Sequence, residues 1–259
     1  MEITTNKISI VNQKGGVGKT SSTVNLAGAL SVDFDRKVLV IDLDFQTNLT
    51  DSFEIIEEMN KTSYDLLVDP KVEVNETIYS TNIKGIDIIP SSVKLADIDI
   101  KLSDKKNRVN ILKSKLDHIE GKYDFILIDC PPSLNLVVLN SLVASDSILI
   151  PAEPGLYSLK GLNRLIQTFN TVKKKYNKNL KVEGVLLTRV DKRTNIAEEF
   201  EEKLREKLGD KIFNTVISQR VAIVQAQIDR LPVSLYDKNS KSAEEYIELA
   251  REVISNEFR

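Results

Sequence analysis

The sequence predicts an α/β fold, doubly wound, with a mostly parallel central sheet flanked by helices. Three observations predict it. Short apolar runs alternate with helix-length segments along the 259 residues, the order that places helices on both faces of a parallel sheet. A glycine-rich stretch, Gly15-Gly16-Val17-Gly18, falls between an apolar run and a helix-length segment. Two strongly apolar runs end in aspartate, at Asp42 and Asp129. Strand ends of this kind form the edge where open α/β sheets collect ligands.

Each element follows in order. Lys7–Asn12 reads as the first strand, followed by the glycine turn and a helix from about Lys19 to Val32. Lys37–Asp42 is the second buried strand. The region from Gln46 to Ser80 is less regular, with a short helix near Ser63–Val68 opening at a capping residue. Gly85–Ile89 is a strand ending at Pro90. Ser92–Leu102 and Arg108–Ile119 read as helices. Tyr123–Asp129 is a third apolar strand, stopped by Pro131 and Pro132. Asn135–Ala144 is a helix, Ser147–Ile150 a strand, and Gly155–Tyr176 holds a long helix. Leu180–Leu187 is a strand, Asn195–Leu208 a charged helix and Ser242–Asn256 the final helix.

Bulk composition narrows the class. The chain is 41% hydrophobic and 29% charged, ordinary for a soluble globular protein. No apolar run reaches the ~18 residues of a membrane span, and the start of the chain is short and polar, unlike a signal peptide. One cysteine, Cys130, excludes a disulfide framework within the chain and a cysteine cage for zinc. With no repeat or long linker, residues 1–259 are expected to form one domain, in the cytoplasm.

Charge is uneven. Residues 1–150 hold 16 Lys+Arg against 22 Asp+Glu, whereas residues 151–259 hold 20 against 16. Lys160 to Arg193 carries ten basic residues and two acids, Glu183 and Asp191. That stretch reads either as a solvated helix face with its loop or as a patch for nucleic-acid phosphates.

The segment Lys14-Gly15-Gly16-Val17-Gly18-Lys19-Thr20 has the context of a phosphate-binding loop, after a strand and before a helix. Glycines let the backbone turn and aim N–H groups at phosphate oxygens. The helix N-terminus adds partial positive charge. Lys19 suits the β- and γ-phosphates, and the Thr20 hydroxyl suits magnesium. Ser21 continues the nucleotide-binding run. The ordinary pattern would have glycine at position 13; here Gln13 stands there, and Lys14 opens the loop.

The form K-G-G-x-G-K-[ST] resembles the deviant Walker A loop of the ParA/MinD/nitrogenase-iron-protein group. Val38 to Asn48 resembles the ParA segment D-x-D-P-Q-x-N, with Phe45 for proline and Thr47 for glycine. Ile126 to Ser133 resembles its Walker B. Similarity spans nearly the whole chain and points to the ParA/Soj partition ATPases. The resemblance implies a P-loop ATPase that hydrolyses ATP with Mg2+, slowly unless a partner acts. It implies a homodimer sandwiching two ATP molecules, in which Lys14 reaches the nucleotide of the other subunit. It assigns catalytic roles to Lys14, Lys19 and Asp44, with Asp44 orienting the attacking water, and magnesium to Thr20, Asp42 and Asp129. It also implies a ParB-like centromere-binding partner with a basic N-terminal peptide.

Relatives bind double-stranded DNA without sequence preference through C-terminal arginines. Arg193 retains one. The loop usually reading I-P-R-N-V-R is here Ile217-Ser218-Gln219-Arg220-Val221-Ala222, without either arginine. Arg220 stands where relatives carry an asparagine near the adenine base, and with Ser218 it joins the expected nucleotide-binding set. Lys173, Lys174, Lys175, Lys192, Arg193 and Arg220 form the candidate DNA surface of a nucleoid-associated protein. Thr188-Arg189-Val190-Asp191 loosely resembles the T-K-x-D guanine-reading motif; family similarity favours ATP.

Other classes fit less well. His118, alone in a helix-like run, reads as a surface residue. One cysteine beside Walker B does not supply the pair a bridging iron–sulfur cluster needs. Tyr246 alone does not make the tyrosine cluster of related kinases. A MinD-like ATPase is the serious alternative, but the last helix sets Glu244, Glu245, Glu248 and Glu252 opposite its apolar face, which suits core packing better than a lipid anchor. No N-terminal helix-turn-helix domain is expected.

Overall fold

The computed structural model describes residues 4–155, 158–191 and 195–256. It contains an eight-stranded sheet flanked by helices, as the alternation predicts. The chain begins with β1 (Asn6–Ile10), α1 (Lys19–Gly28) and β2 (Val38–Asp42), then α2 (Asn48–Asp51) and α3 (Ser63–Val68). The strands β3 (Tyr79–Ser80) and β4 (Ile86–Ile89) precede α4 (Ile98–Lys101), α5 (Ile111–Leu116), β5 (Phe125–Asp129) and α6 (Leu136–Ala144). The second half runs β6 (Ser147–Ala152), α7 (Ser158–Lys175), β7 (Lys181–Val190), α8 (Asn195–Leu208) and β8 (Ile212–Ser218). It closes with α9 (Val221–Ile228), α10 (Val233–Tyr236) and α11 (Lys241–Asn256).

Strand order is β3-β4-β2-β5-β1-β6-β7-β8. The β3–β4 pair is antiparallel and every other pair is parallel. The chain winds one way from β1 through β2 and the other way through β6, so its direction reverses at β1. Ligands of doubly wound sheets bind at that reversal, beyond the strand C-termini.

Both faces of the sheet are covered, which explains the unbroken apolar runs. Side chains alternate between two cores. Leu39, Ile41, Ile126 and Ile128 point to the face covered by α3, α5, α6 and α7. Val38, Val40, Phe125 and Leu127 point to the face covered by α1 and α11. The apolar positions of α11, including Tyr246, Leu249, Ala250 and Val253, are buried. That agrees with core packing of this helix.

Besides the short β3 and α10, β8 and α9 escape the sequence pattern. β8 is an edge strand whose middle is broken by Asn214, Thr215 and partial exposure, so it lacks a continuous apolar run. The segment Ile217–Ala222, read as a loop, is instead the end of β8 and the first two residues of α9 joined by Gln219 and Arg220, and α9 keeps Val221, Val224 and Ile228 exposed. Its apolar residues occupy the solvent side as well as the core side, which erases the helical periodicity. The helices read at Ser92 and Arg108 are also shorter. A tight turn of helix covers Val93–Asp97 before α4, and α5 starts only at Ile111.

Candidate nucleotide and cation site

The loop between β1 and α1 takes its shape from glycine. Gly16 and Gly18 sit at φ +75° and +84°, the left-handed region that favours glycine. Gly18 is the N-cap of α1 and offers no side-chain cap, so the first-turn N–H groups stay available to a ligand. The loop is braced from below. Thr188 Oγ1 donates to Val17 O at 2.8 Å, and Arg189 Nη1 donates to Gly16 O at 2.7 Å. Arg189 itself holds φ +55°, an uncommon conformation for a side chain of its size.

A cleft of about 570 Å³ opens over this loop. Gly15, Gly16, Gly18, Lys19, Thr20 and Ser21 line one side, Asp44, Phe45 and Gln46 another, and Ser218, Gln219, Arg220 and Arg189 the far wall. Val17 differs from its neighbours: its side chain is buried in the protein, so only its backbone faces the loop. The cleft thus unites residues from the ends of β1, β2, β7 and β8.

Lys19 is buried to 8% exposure, with Nζ 3.4 Å from Lys14 O. Burial lowers its pKa from the ordinary value, and the charge of Asp129 is the strongest influence in the other direction. Thr20 Oγ1 donates to Asp129 Oδ2 at 2.6 Å. Asp42 and Asp129 are register partners at the ends of adjacent strands, and both are buried. Thr50 supports Asp42 twice, its N and Oγ1 each donating to Oδ2 at 2.8 Å, and Asp44 N donates to Oδ1 at 3.0 Å. Burial raises the pKa of both carboxyls, opposed at Asp42 by the Thr50 hydrogen bonds and reinforced at Asp129 by the Asp42 charge. Two buried carboxyls beside a hydroxyl make a hard-oxygen set that fits magnesium. Among the described residues no group of three or more His, Cys, Asp or Glu could hold a metal. A cation here needs the Thr20 hydroxyl, waters and phosphate oxygens to complete its shell, as magnesium in nucleotide sites does.

Asp44 stands apart from that pair. It lines the cleft at 7% exposure, and its Oδ1 accepts from Gln46 N at 3.1 Å. The Lys14 side chain does not line the cleft of its own chain. Its Nζ pairs with Glu153 Oε2 at 2.8 Å, and its backbone N donates to Asn12 Oδ1 at 3.0 Å. The two lysines of the loop are therefore separated, one inward and one on the rim.

On the far wall, Ser218 N and Oγ donate to the Glu245 carboxylate at 2.9 and 2.6 Å. Arg220 Nη2 lies 3.9 Å from the same carboxylate. Its Nε is buried with no hydrogen-bond partner among the described residues. Sequence reading missed Thr50, Arg189 and Glu245. Arg189 had a signal in the T-R-V-D run; the other two had none.

The basic candidates do not gather into one surface. Lys173, Lys174 and Lys175 end α7 just before β7 begins, whereas Arg220 follows the end of β8. The ten residues of β7 separate those two edges by about 30 Å. Lys192 and Arg193 lie outside the described residues. Cys130 is buried against Ser141 Oγ at 3.0 Å, and burial pushes its thiol up to about 12.

Comparison with known proteins agrees with this architecture. An AAA-domain family model matches residues 5–182. The chain is 41% identical over 250 residues to sporulation initiation inhibitor protein Soj of Bacillus subtilis, covering 96% of this chain and 98% of that one. It is 36% identical over 253 residues to the chromosome partitioning protein ParA of Caulobacter vibrioides, covering 96% and 94%. Among solved structures, MinD of Pyrococcus horikoshii complexed with Mg-ADP superimposes with a TM-score of 0.79 at 30% identity, covering 96% of both chains. The chain belongs to the ParA/Soj family of P-loop ATPases, within the group that includes MinD.

Proposed function

We propose that this chain is a partition ATPase whose ATP-bound homodimer carries DNA cargo. The observation that carries this reading is the division of labour in the loop. Lys19 is buried in the cleft while Lys14 stands on the rim, outside its own chain's cleft. A lysine so placed suits a nucleotide bound by a second subunit. Residues 1–259 act as one P-loop domain.

In this reading the loop N–H groups of Lys14 to Ser21 hold the phosphates, Lys19 neutralises the β- and γ-phosphates, and Ser218 and Arg220 flank the base and ribose. ATP is the nucleotide. Magnesium, held by Thr20, Asp42 and Asp129 partly through waters, supplies charge neutralisation on the phosphates. Asp44 orients the water that attacks the γ-phosphorus, and ADP and phosphate leave. Lys14 of the second subunit adds positive charge where negative charge spreads in the transition state. Hydrolysis is slow alone and is accelerated by a ParB-like partner that completes the site.

The cargo is a plasmid or chromosome, and the protein works in the cytoplasm on the nucleoid. Non-specific double-stranded DNA meets Arg220 at the nucleotide edge, with Lys173, Lys174 and Lys175 as a separate contact and Lys192 and Arg193 as further members of the set. A MinD-like membrane role is less favoured, because the apolar face of α11 is already buried and no described helix is long and apolar enough to cross a membrane.

The test is a pair of variants. Lys19→Ala loses ATP binding. Asp44→Ala binds ATP and dimerises but hydrolyses about 100-fold more slowly. Normal hydrolysis by Asp44→Ala refutes the water-positioning role. Titration of the ATP dimer with random duplex at low and high salt tests the DNA role, which fails if binding is independent of nucleotide or of salt.

A further inference from the structure

A second cavity lies away from the nucleotide cleft and shares no lining residue with it. Its volume is about 680 Å³, and it sits between the end of α3, the 70–75 segment and α5. Leu67, Pro70, Val74 and Ile111 give it apolar walls, while Lys71, Lys105, Lys106, Lys115 and His118 also line it. The single lining carboxylate is Glu73, and that side chain accepts from the backbone N–H of Glu76 as a helix cap.

The local charge is out of keeping with its surroundings. Residues 1–150 carry 16 Lys+Arg against 22 Asp+Glu, yet this cavity gathers four lysines against one carboxylate. The charge of Lys115 acts on Glu76, but none of the four lysines forms an ion pair among the described residues. Lys105 Nζ donates to Val68 O, and Lys115 Nζ donates to Pro70 O and Val72 O. Backbone carbonyls satisfy hydrogen bonds but cancel no charge. An ammonium has three donors, so Lys105 keeps two and Lys115 one for a ligand. Lys71 and Lys106 are exposed. Nearby, Asp69 accepts from Lys71 N, and Asp117 pairs with Lys113 instead of a cavity lysine.

We propose that this cavity binds a small organic anion, with its phosphate or carboxylate head among the lysines and its apolar body on Leu67, Val74 and Ile111. The size matches a small-molecule site, and apolar walls with a few convergent polar groups are the usual make-up of one. His118 Nδ1 donates to Ser114 O at 2.8 Å, which makes Nε2 of the neutral ring an acceptor; the lysines supply the donors, and His118 lines the cavity as a reporter of binding. The binding does not depend on the ATPase reading, and its failure leaves that reading intact.

The lone histidine makes the test specific, since the chain has one imidazole to observe. The full chain, with Mg-ADP saturating its cleft, is titrated with 1-naphthyl phosphate while the His118 ring signals are followed by NMR. 1-Naphthoate, neutral 1-naphthol and inorganic phosphate form the other arms. The expected result is a saturable shift with the phosphate or the carboxylate, and binding at least tenfold weaker for naphthol. The variant Lys71→Gln/Lys106→Gln, altered only at exposed side chains, should bind about tenfold more weakly. Comparison of the two naphthyl anions identifies the preferred head group. Absence of a saturable shift, equal binding of naphthol, or unchanged affinity in the double variant overturns the proposal.

Discussion

Replacing Thr50 by valine should show how strongly the protein holds the Asp42 carboxylate. The Thr50 hydroxyl is used in both directions. It donates to Asp42 Oδ2 at 2.8 Å and accepts from Ser91 N at 2.8 Å, both in the buried interior. Valine keeps the shape and the backbone N–H bond to Asp42 but removes both hydroxyl bonds. A hydrogen bond to a charged group contributes about 1.5–3 kcal/mol, and an orphaned buried N–H costs about 1–3 kcal/mol. The expected loss is about 4 kcal/mol, or about 10 °C in Tm for a protein of this size. Thr50→Ser keeps both bonds and loses one methyl group, costing about 1 kcal/mol. Urea unfolding of the two variants, with unchanged m values, makes the comparison. If valine costs no more than serine, the hydroxyl does not hold Asp42 and the reasoning is wrong. Affinity for Mg-ATP should follow the same order, because a misplaced Asp42 cannot contribute to the cation shell.

Three further outcomes follow from single contacts. Arg189→Ala removes the bond to Gly16 O and should weaken ATP binding about tenfold by calorimetry, while unfolding midpoints barely move because the side chain is exposed. Gly28→Ala places a Cβ 2.2 Å from Pro232 Cβ; overpacking of about 1–3 kcal/mol exceeds the helix gain of about 1 kcal/mol, so urea unfolding should show a net loss. Tyr123 donates to Asp87 Oδ2 at 2.8 Å; its burial, and then this bond, raise the phenol above its ordinary range. Tyr123→Phe should cost about 1 kcal/mol at neutral pH, and the stability this phenol contributes should be present below about pH 10 and be lost as pH rises further, because the unfolded phenol ionises first.

The fold was legible where its signals are local. Lys37–Asp42 and Tyr123–Asp129 are apolar on both faces because both faces are covered, and that continuity is visible in the chain itself. The glycine loop was legible because the positive φ angles of Gly16 and Gly18 demand a residue type. β8 was hidden because it is an edge strand, exposed in its middle. α9 was hidden because its outward face is apolar, which removes the contrast that amphipathic periodicity needs.

The site divides along the same line. Residues that touch a ligand by type, such as Lys19, Thr20 and the strand-end aspartates, announce themselves within a few positions of a motif. Residues that hold those groups do so across the chain. Thr188 and Arg189 brace Val17 and Gly16 over 171 and 173 positions, and Glu245 holds Ser218 over 27. No window of sequence contains both partners of such a bond. The parallel sheet is what joins them, because the ends of β1 and β7 reach the same edge only after the intervening strand β6 is in place. The same topology separates Lys173–Lys175 from Arg220, although both belong to one basic half of the sequence. Net charge along a chain therefore identifies a patch only when the strands between its members are short or absent; here β7 stands between them, and a DNA surface at the nucleotide edge has to be built without those lysines.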